Sequence, residues 1–121
     1  MATVRLQPAE GEPGILLDIL FASSGIEPEI CHDAQRIEIL PGLICPVARP
    51  EYLLALKILA RDDRTRPQDV ADIQALLKVL KPNEVARARD ALELITQRGF
   101  HRDRNLEQGI EDALTAYRGR T

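Results

Sequence analysis

Hydrophobic and polar positions change their period near Ala48. Before it they alternate along short segments, and after it they recur every three or four residues. Thr3-Val4-Arg5-Leu6-Gln7 alternates and predicts a strand, which the turn-rich stretch Pro8 to Gly14 separates from a second strand over residues 14–22. An antiparallel pair is the simplest outcome. Ser23-Ser24-Gly25 closes the second strand, and Ile26, Ile30 and Ala34, spaced for a helix behind Pro28, predict a short helical segment. Arg36-Ile37-Glu38-Ile39-Leu40 alternates again. Pro41-Gly42 suits the central positions of a type II turn. Leu43 to Val47 then returns as an edge strand, because Pro46 has no N–H to give a ladder.

Beyond Ala48 the pattern is helical throughout. Pro50 suits the first position of a helix that is apolar nearly all round from Tyr52 to Ala60 except at Lys57, which predicts a central, buried element. Pro67 restarts a helix with Val70, Ile73, Leu76 and Leu77 as its core stripe. A third helix runs from about Asn83 to Arg98 on Val85, Ala88, Leu92 and Ile95, and Gly99-Phe100 is placed to fold back as a Schellman cap. The last follows an Asn105-x-x-Gln108 start and lines up Leu106, Ile110, Ala113, Leu114 and Tyr117. The fold class expected is α/β in the α+β sense: one domain over 1–121, with a small, mostly antiparallel sheet in 1–48 backed by four helices in 49–121.

Composition narrows this further. An apolar content of 45% is enough for a modest core, but aromatics make up only 3% and Trp is absent, so the core must come from Leu, Ile, Val and Ala. Base-stacking platforms for nucleic acid are thereby disfavoured. The formal charge of −3 hides an asymmetry: residues 1–48 hold two basic and seven acidic side chains, residues 49–121 fourteen and twelve. That balance puts a mild cationic surface on the helical half, which falls short of a nucleic-acid binder's footprint. Cys31 and Cys45 have neither metal-ligand spacing nor a secreted disulfide framework, and no apolar segment is long enough to span a bilayer. A cytoplasmic protein with reduced thiols and no membrane partner is expected.

Asp18 is the most informative single residue. It interrupts the apolar run Ile15 to Phe21 on the strand face that also carries Leu16 and Leu20, where a carboxylate needs a cation, a hydrogen-bond donor or water. It is either a metal-binding carboxylate on a sheet or an acid on an exposed strand face. Lys57 and Arg61 stand one helical turn apart, so two like charges share an edge and imply an anion. That anion is a bound phosphate, or it is Asp69 or Asp72 on the following helix. Asp69 lies in a first turn, where the helix dipole alone favours a carboxylate; Asp72 is further in. Cys31 and His32 are neighbours that point apart, His101 sits in a basic connecting loop, and Ser23-Ser24-Gly25 is too short for a phosphate loop.

Three stretches together carry a family resemblance: Leu17-Asp18-Ile19-Leu20-Phe21-Ala22-Ser23-Ser24-Gly25-Ile26-Glu27, Leu40 to Glu51, and Leu54-Ala55-Leu56-Lys57-Ile58-Leu59-Ala60-Arg61 with Arg66-Pro67-Gln68-Asp69-Val70-Ala71-Asp72. Over residues 3–118 the chain resembles the later part of AbiEii-type nucleotidyltransferases, the toxin side of bacterial abortive-infection and toxin-antitoxin systems. The resemblance implies nucleotidyl transfer with magnesium held by carboxylates around a triphosphate. On that likeness Asp18, Asp69 and Asp72 are the catalytic acids and Asp18 the metal ligand. Lys57, with Arg61 and Arg66 beside it, contacts the nucleotide.

The likeness is partial, because no Gly-Ser turn followed by Asp-x-Asp occurs in these 121 residues. The expected protein is therefore a truncated, nucleotidyltransferase-like remnant that binds nucleotide or RNA, has no turnover alone, and uses Mg2+ only if the missing half is supplied. Two alternatives stand beside it: an interaction module docking a companion subunit or antitoxin, and an active transferase completed in trans. A sheet without its leading strands leaves an edge uncovered, so a homodimer or a companion chain is expected.

Overall fold

A computed structural model describes residues 3–11, 14, 17–20, 22–61 and 67–119, with no side-chain placement for Thr3, Leu17, Asp18, Leu20 and residues 67–69. In chain order the described elements are β1 (Thr3–Leu6), β2 (Leu17–Leu20), α1 (Glu27–Asp33), β3 (Gln35–Leu40), β4 (Leu43–Val47), α2 (Pro50–Ala60), α3 (Pro67–Val79), α4 (Pro82–Gln97) and α5 (Leu106–Arg118). The α+β expectation holds, with helix predominating.

Both strand pairs are antiparallel, as alternation predicts. β1 lies on β2 with Val4 opposite Ile19 and Arg5 opposite Asp18. β3 lies on β4 with Arg36 opposite Pro46 and Ile37 opposite Cys45, and the ladder is irregular between Glu38 and Leu40. At the β3–β4 turn Gly42 takes φ +81°, the left-handed backbone a type II turn needs at its second central position. Among the described residues the two pairs form separate ribbons and do not merge into one sheet. All six residues of β3 are exposed, so the helices close on one another and leave this ribbon open.

The reason lies in α2. Helices α3, α4 and α5 all pack against it, and its apolar residues lie on nearly every side, so it serves as the hub. Leu54, Ala55, Ile58 and Leu59 of α2 meet Ile73 and Leu77 of α3, Ala88, Ala91, Leu92 and Ile95 of α4, and Leu106, Ile110, Ala113 and Leu114 of α5 in one cluster. Each fully buried Leu or Ile there contributes roughly 1.5–3 kcal/mol. Val70, Leu76, Val85 and Tyr117, which helical spacing assigns to core stripes, sit at the half-buried rim. From the first half, Ile26 enters this core.

Local signals set the helix ends. Proline opens α2 and α4 where its missing N–H costs nothing. Helix α4 closes as a Schellman motif: Phe100 N donates to Ile95 O at 3.0 Å and Gly99 N to Thr96 O at 3.1 Å, with Gly99 at φ +82°. Asn105 Oδ1 accepts from Gln108 N at 3.0 Å and starts α5. Glu51, in the first turn of α2, is buried beside the positive end of its own helix, with Arg87 Nη1 4.0 Å from its Oε1.

Candidate functional site

Helix α3 folds back on α2 and brings Asp72 to Lys57. Lys57 Nζ donates to Asp72 Oδ2 at 2.8 Å, and the side chains remain 39% and 35% exposed. Of the two sources of negative charge left open by the sequence for the Lys57–Arg61 edge, an aspartate of the next helix therefore meets the lysine directly. A pair this exposed is screened by water and contributes less than about 1 kcal/mol. Its ammonium stays at the surface, oriented by a carboxylate.

Arg61, one turn on, caps the C-terminal end of α2, its N–H bonded to Ile58 O at 3.4 Å. It borders a recess of about 10 Å³ with Val70, Ile73 and Ala113, too small for any ligand. Lys57 and Asp72 thus meet at the α2–α3 edge, and Arg61 lies beyond them beside Val70 and Ile73 of α3. Arg66 lies outside the described residues, as do the side chains of Asp69 and Asp18. Their backbones place Asp69 in the first turn of α3 and Asp18 on β2 opposite Arg5.

The loop after β2 is a different kind of site. Ser23 N and Ser24 N both donate to Glu27 Oε1 at 2.7 Å, so these loop amides hold a carboxylate of the same chain. Burial pushes the Glu27 carboxyl up, but the Ser24 and Ser23 hydrogen bonds outweigh it and hold the group below its ordinary range. Arg98 fastens the loop from α4, its Nη1 donating to Gly25 O at 2.6 Å and pairing with Glu29 Oε1 at 2.6 Å. Gly25 has φ +79°, and a Cβ there would come within 2.4 Å of Phe100 Cδ2. Only glycine fits. The clamp was legible in part: Ser24-Gly-Ile-Glu27 has capping-box spacing. Nothing in the sequence pointed to Arg98 or Phe100 across more than seventy intervening residues.

A second polar cluster joins α1 to α2. The Tyr52 hydroxyl donates to Asp33 Oδ2, His32 Nδ1 lies 3.0 Å from Asp33 Oδ1, and Arg49 Nε donates to Asp33 O at 2.7 Å. The Tyr52 and His32 hydrogen bonds hold the Asp33 carboxyl below its ordinary range. Burial, with the Asp33 hydrogen bond and charge, pushes the Tyr52 phenol up to about 12. His101 faces a groove of about 800 Å³ with Thr96, Arg104 and Asn105. Arg104 Nη1 donates to Leu59 O at 2.6 Å, so that basic loop is also a fastening to α2.

The Lys57–Asp72 pair thus joins α2 to α3 on an exposed edge. A family model described as nucleotidyl transferase AbiEii toxin, Type IV TA system, matches residues 2–118. The chain belongs to the AbiEii family. No curated protein matches it.

For an AbiEii protein the fit of magnesium can be judged on donors. Among the described residues no three His, Cys, Asp or Glu side chains gather as a metal site, and the Asp72 carboxylate meets a lysine ammonium. The described residues therefore do not build a magnesium site by themselves. Cys31 and Cys45 are free thiols. Among the described residues no helix is long and apolar enough to cross a membrane.

Proposed function

We propose that this AbiEii chain presents the helical, phosphate-facing wall of a nucleotidyltransferase site, binds a nucleoside triphosphate or RNA weakly, and transfers nothing by itself. The observation that carries the reading is Lys57, held 2.8 Å from Asp72 on an exposed edge in a chain matched to the AbiEii model over residues 2–118. Asp72 orients the ammonium, and Lys57 with Arg61 and Arg66 neutralises phosphate oxygens. Asp69, at the start of the same helix, is a further acid of this reading. Asp18 would join only in company with other carboxylates. In-line displacement at a triphosphate needs several acids to hold metal against it, and these 121 residues contain no Asp-x-Asp. Magnesium chemistry accordingly requires a second polypeptide or segment that brings the remaining acids. The cytoplasm, where nucleotides abound and thiols stay reduced, is its place of action.

The test combines turnover with binding. The purified chain incubated with magnesium, labelled nucleoside triphosphates and RNA is expected to transfer no label, and calorimetry is expected to detect triphosphate binding that Lys57→Ala abolishes. Robust labelling lost on Asp18→Asn would overturn the inactive reading. Triphosphate binding unchanged by Lys57→Ala would overturn the assignment of the edge.

One observation favours a second reading. Val4, Leu6 and Ile19 in the first ribbon are each more than 40% exposed, as expected if a companion such as an antitoxin covers them. Lys57 and Asp72 then only pin two helices. That reading predicts no triphosphate binding and co-purification of a companion chain that Val4→Asp releases.

A further inference from the structure

The strand ribbon β3–β4 has two edges of unlike character. On β4 Pro46 lacks the N–H that a neighbouring strand would need, which blunts that edge. On β3 no proline interrupts Gln35 to Leu40, and all six residues are exposed. Among the described residues β3 pairs with β4 alone. An open edge of this kind accepts another strand.

We propose that β3 pairs edge to edge and antiparallel with β3 of a second copy of this chain, about a two-fold axis through Ile37. Register follows from parity and charge. A two-fold axis normal to the sheet keeps each face continuous, so every residue must meet one of its own parity, and the axis must pass through a residue. An axis at Arg36 sets Arg36 against the partner's Arg36, and an axis at Glu38 sets Glu38 against the partner's Glu38; like charges directly opposite are destabilising. An axis at Ile37 instead sets Arg36 against the partner's Glu38 twice over, and Ile37 against the partner's Ile37.

That register also builds an apolar row. Ile37 already lies opposite Cys45 within the ribbon, so the row runs Cys45, Ile37, the partner's Ile37, the partner's Cys45. Ile37 is more than 40% exposed in the single chain, so that row stands open to a partner. Glu38 Oε1 accepts from Gly42 N at 2.9 Å, which leaves Oε2 to meet the partner's Arg36. The irregularity between Glu38 and Leu40 ends the regular edge, so the regular pairing is centred on residues 36 to 38. This pairing does not depend on the nucleotide reading, which rests on Lys57 of α2 and Asp72 of α3.

The experiment uses sedimentation equilibrium and native mass spectrometry on the full chain, with far-UV circular dichroism to show that each variant keeps its fold. Wild type is expected to dimerise. Arg36→Glu and Glu38→Arg are each expected to raise the dimer dissociation constant by on the order of tenfold or more, since both symmetric pairs turn repulsive. Mixed in equal amounts, the two variants are expected to form a heterodimer, because each then supplies the charge the other lacks. A wild-type chain that stays monomeric at its highest attainable concentration overturns the proposal, as does a dimer indifferent to Arg36→Glu. A mixture that forms no more dimer than either variant alone overturns the register. Triphosphate binding measured on Arg36→Glu separates this outcome from the nucleotide reading, which expects it unchanged.

Discussion

Residues 3–47 and residues 50–118 handle apolar side chains in opposite ways. In the helical part, side chains from α2 to α5 close into one cluster from which water is excluded. In the strand part, Val4, Leu6, Ile19, Ile37, Ile39, Leu40, Leu43 and Ile44 all remain more than 40% exposed. Ile26 and the buried Ser24, both in the loop clamped by Arg98 and Phe100, tie the two parts together. The comparison teaches that apolar burial is divided: the helices hold the fold, and the ribbons leave apolar surface open. A helix buries one face by turning on itself and meeting neighbours, whereas a two-stranded ribbon has no second layer of its own.

The comparison breaks most visibly under truncation of isoleucines. Ile58→Ala removes a fully buried side chain at the hub and is expected to cost about 2–5 kcal/mol in denaturant unfolding, while Ile44→Ala, on the exposed β4 strand away from the β3 edge, is expected to change stability by less than about 0.5 kcal/mol. Equal losses at the two sites would mean that the ribbon is covered in solution. A smaller effect is expected where the halves meet. Gly25→Ala forces a Cβ onto the Phe100 ring at a left-handed position and is expected to cost about 1–3 kcal/mol. Adding Phe100→Ala should recover the part due to the clash and leave the backbone part.

Acid sharpens the comparison at the same junction. Glu27 and Asp33 have carboxyls held below their ordinary values of 4.5 and 3.8. The stability they contribute is therefore complete above those values and is lost as pH falls through the lower values of the folded state. The melting temperature of wild type is expected to drop in that acid window, and Glu27→Gln to flatten the drop. An unchanged slope would show that Ser23 and Ser24 do not hold the carboxylate in solution.

The smallest effect is spectroscopic. In Tyr117→Phe the remaining tyrosine is Tyr52, and its phenolate absorbance is expected to rise at about pH 12 instead of 10.0. Because the neutral phenol is favoured in the folded state, its contribution is complete below 10.0 and is lost as pH rises to about 12. Titration at the ordinary value would show that Tyr52 does not reach Asp33.

How far the sequence could be read differs between the same two parts. Helical spacing marked Leu92, Ile95, Ile110 and Leu114 as core, and Gly99-Phe100 as a Schellman end, because those signals act within one helix or its next turn. Alternation marked β3 and β4 with their Pro41-Gly42 turn as well. It could not show whether a third strand joins them, since a ribbon and a sheet share one period. Lys57 and Asp72 were legible as candidates because like charges at Lys57 and Arg61 demand an anion. Which acid answered was decided by the packing of α3 on α2. The fastenings of Arg98 to Gly25 and Arg104 to Leu59 were not legible, as arginine on a helix end or loop has the same appearance whether it meets solvent or a distant carbonyl.

The measurement that bears most directly on the account is a nitrogen-15 amide titration with a nucleoside triphosphate and magnesium. Shifts that gather at Lys57, Arg61 and Asp72, leave Ile37 to Ile44 unmoved, and vanish in Lys57→Ala are the predicted result. A spectrum that does not change, or shifts confined to the ribbons, would contradict it.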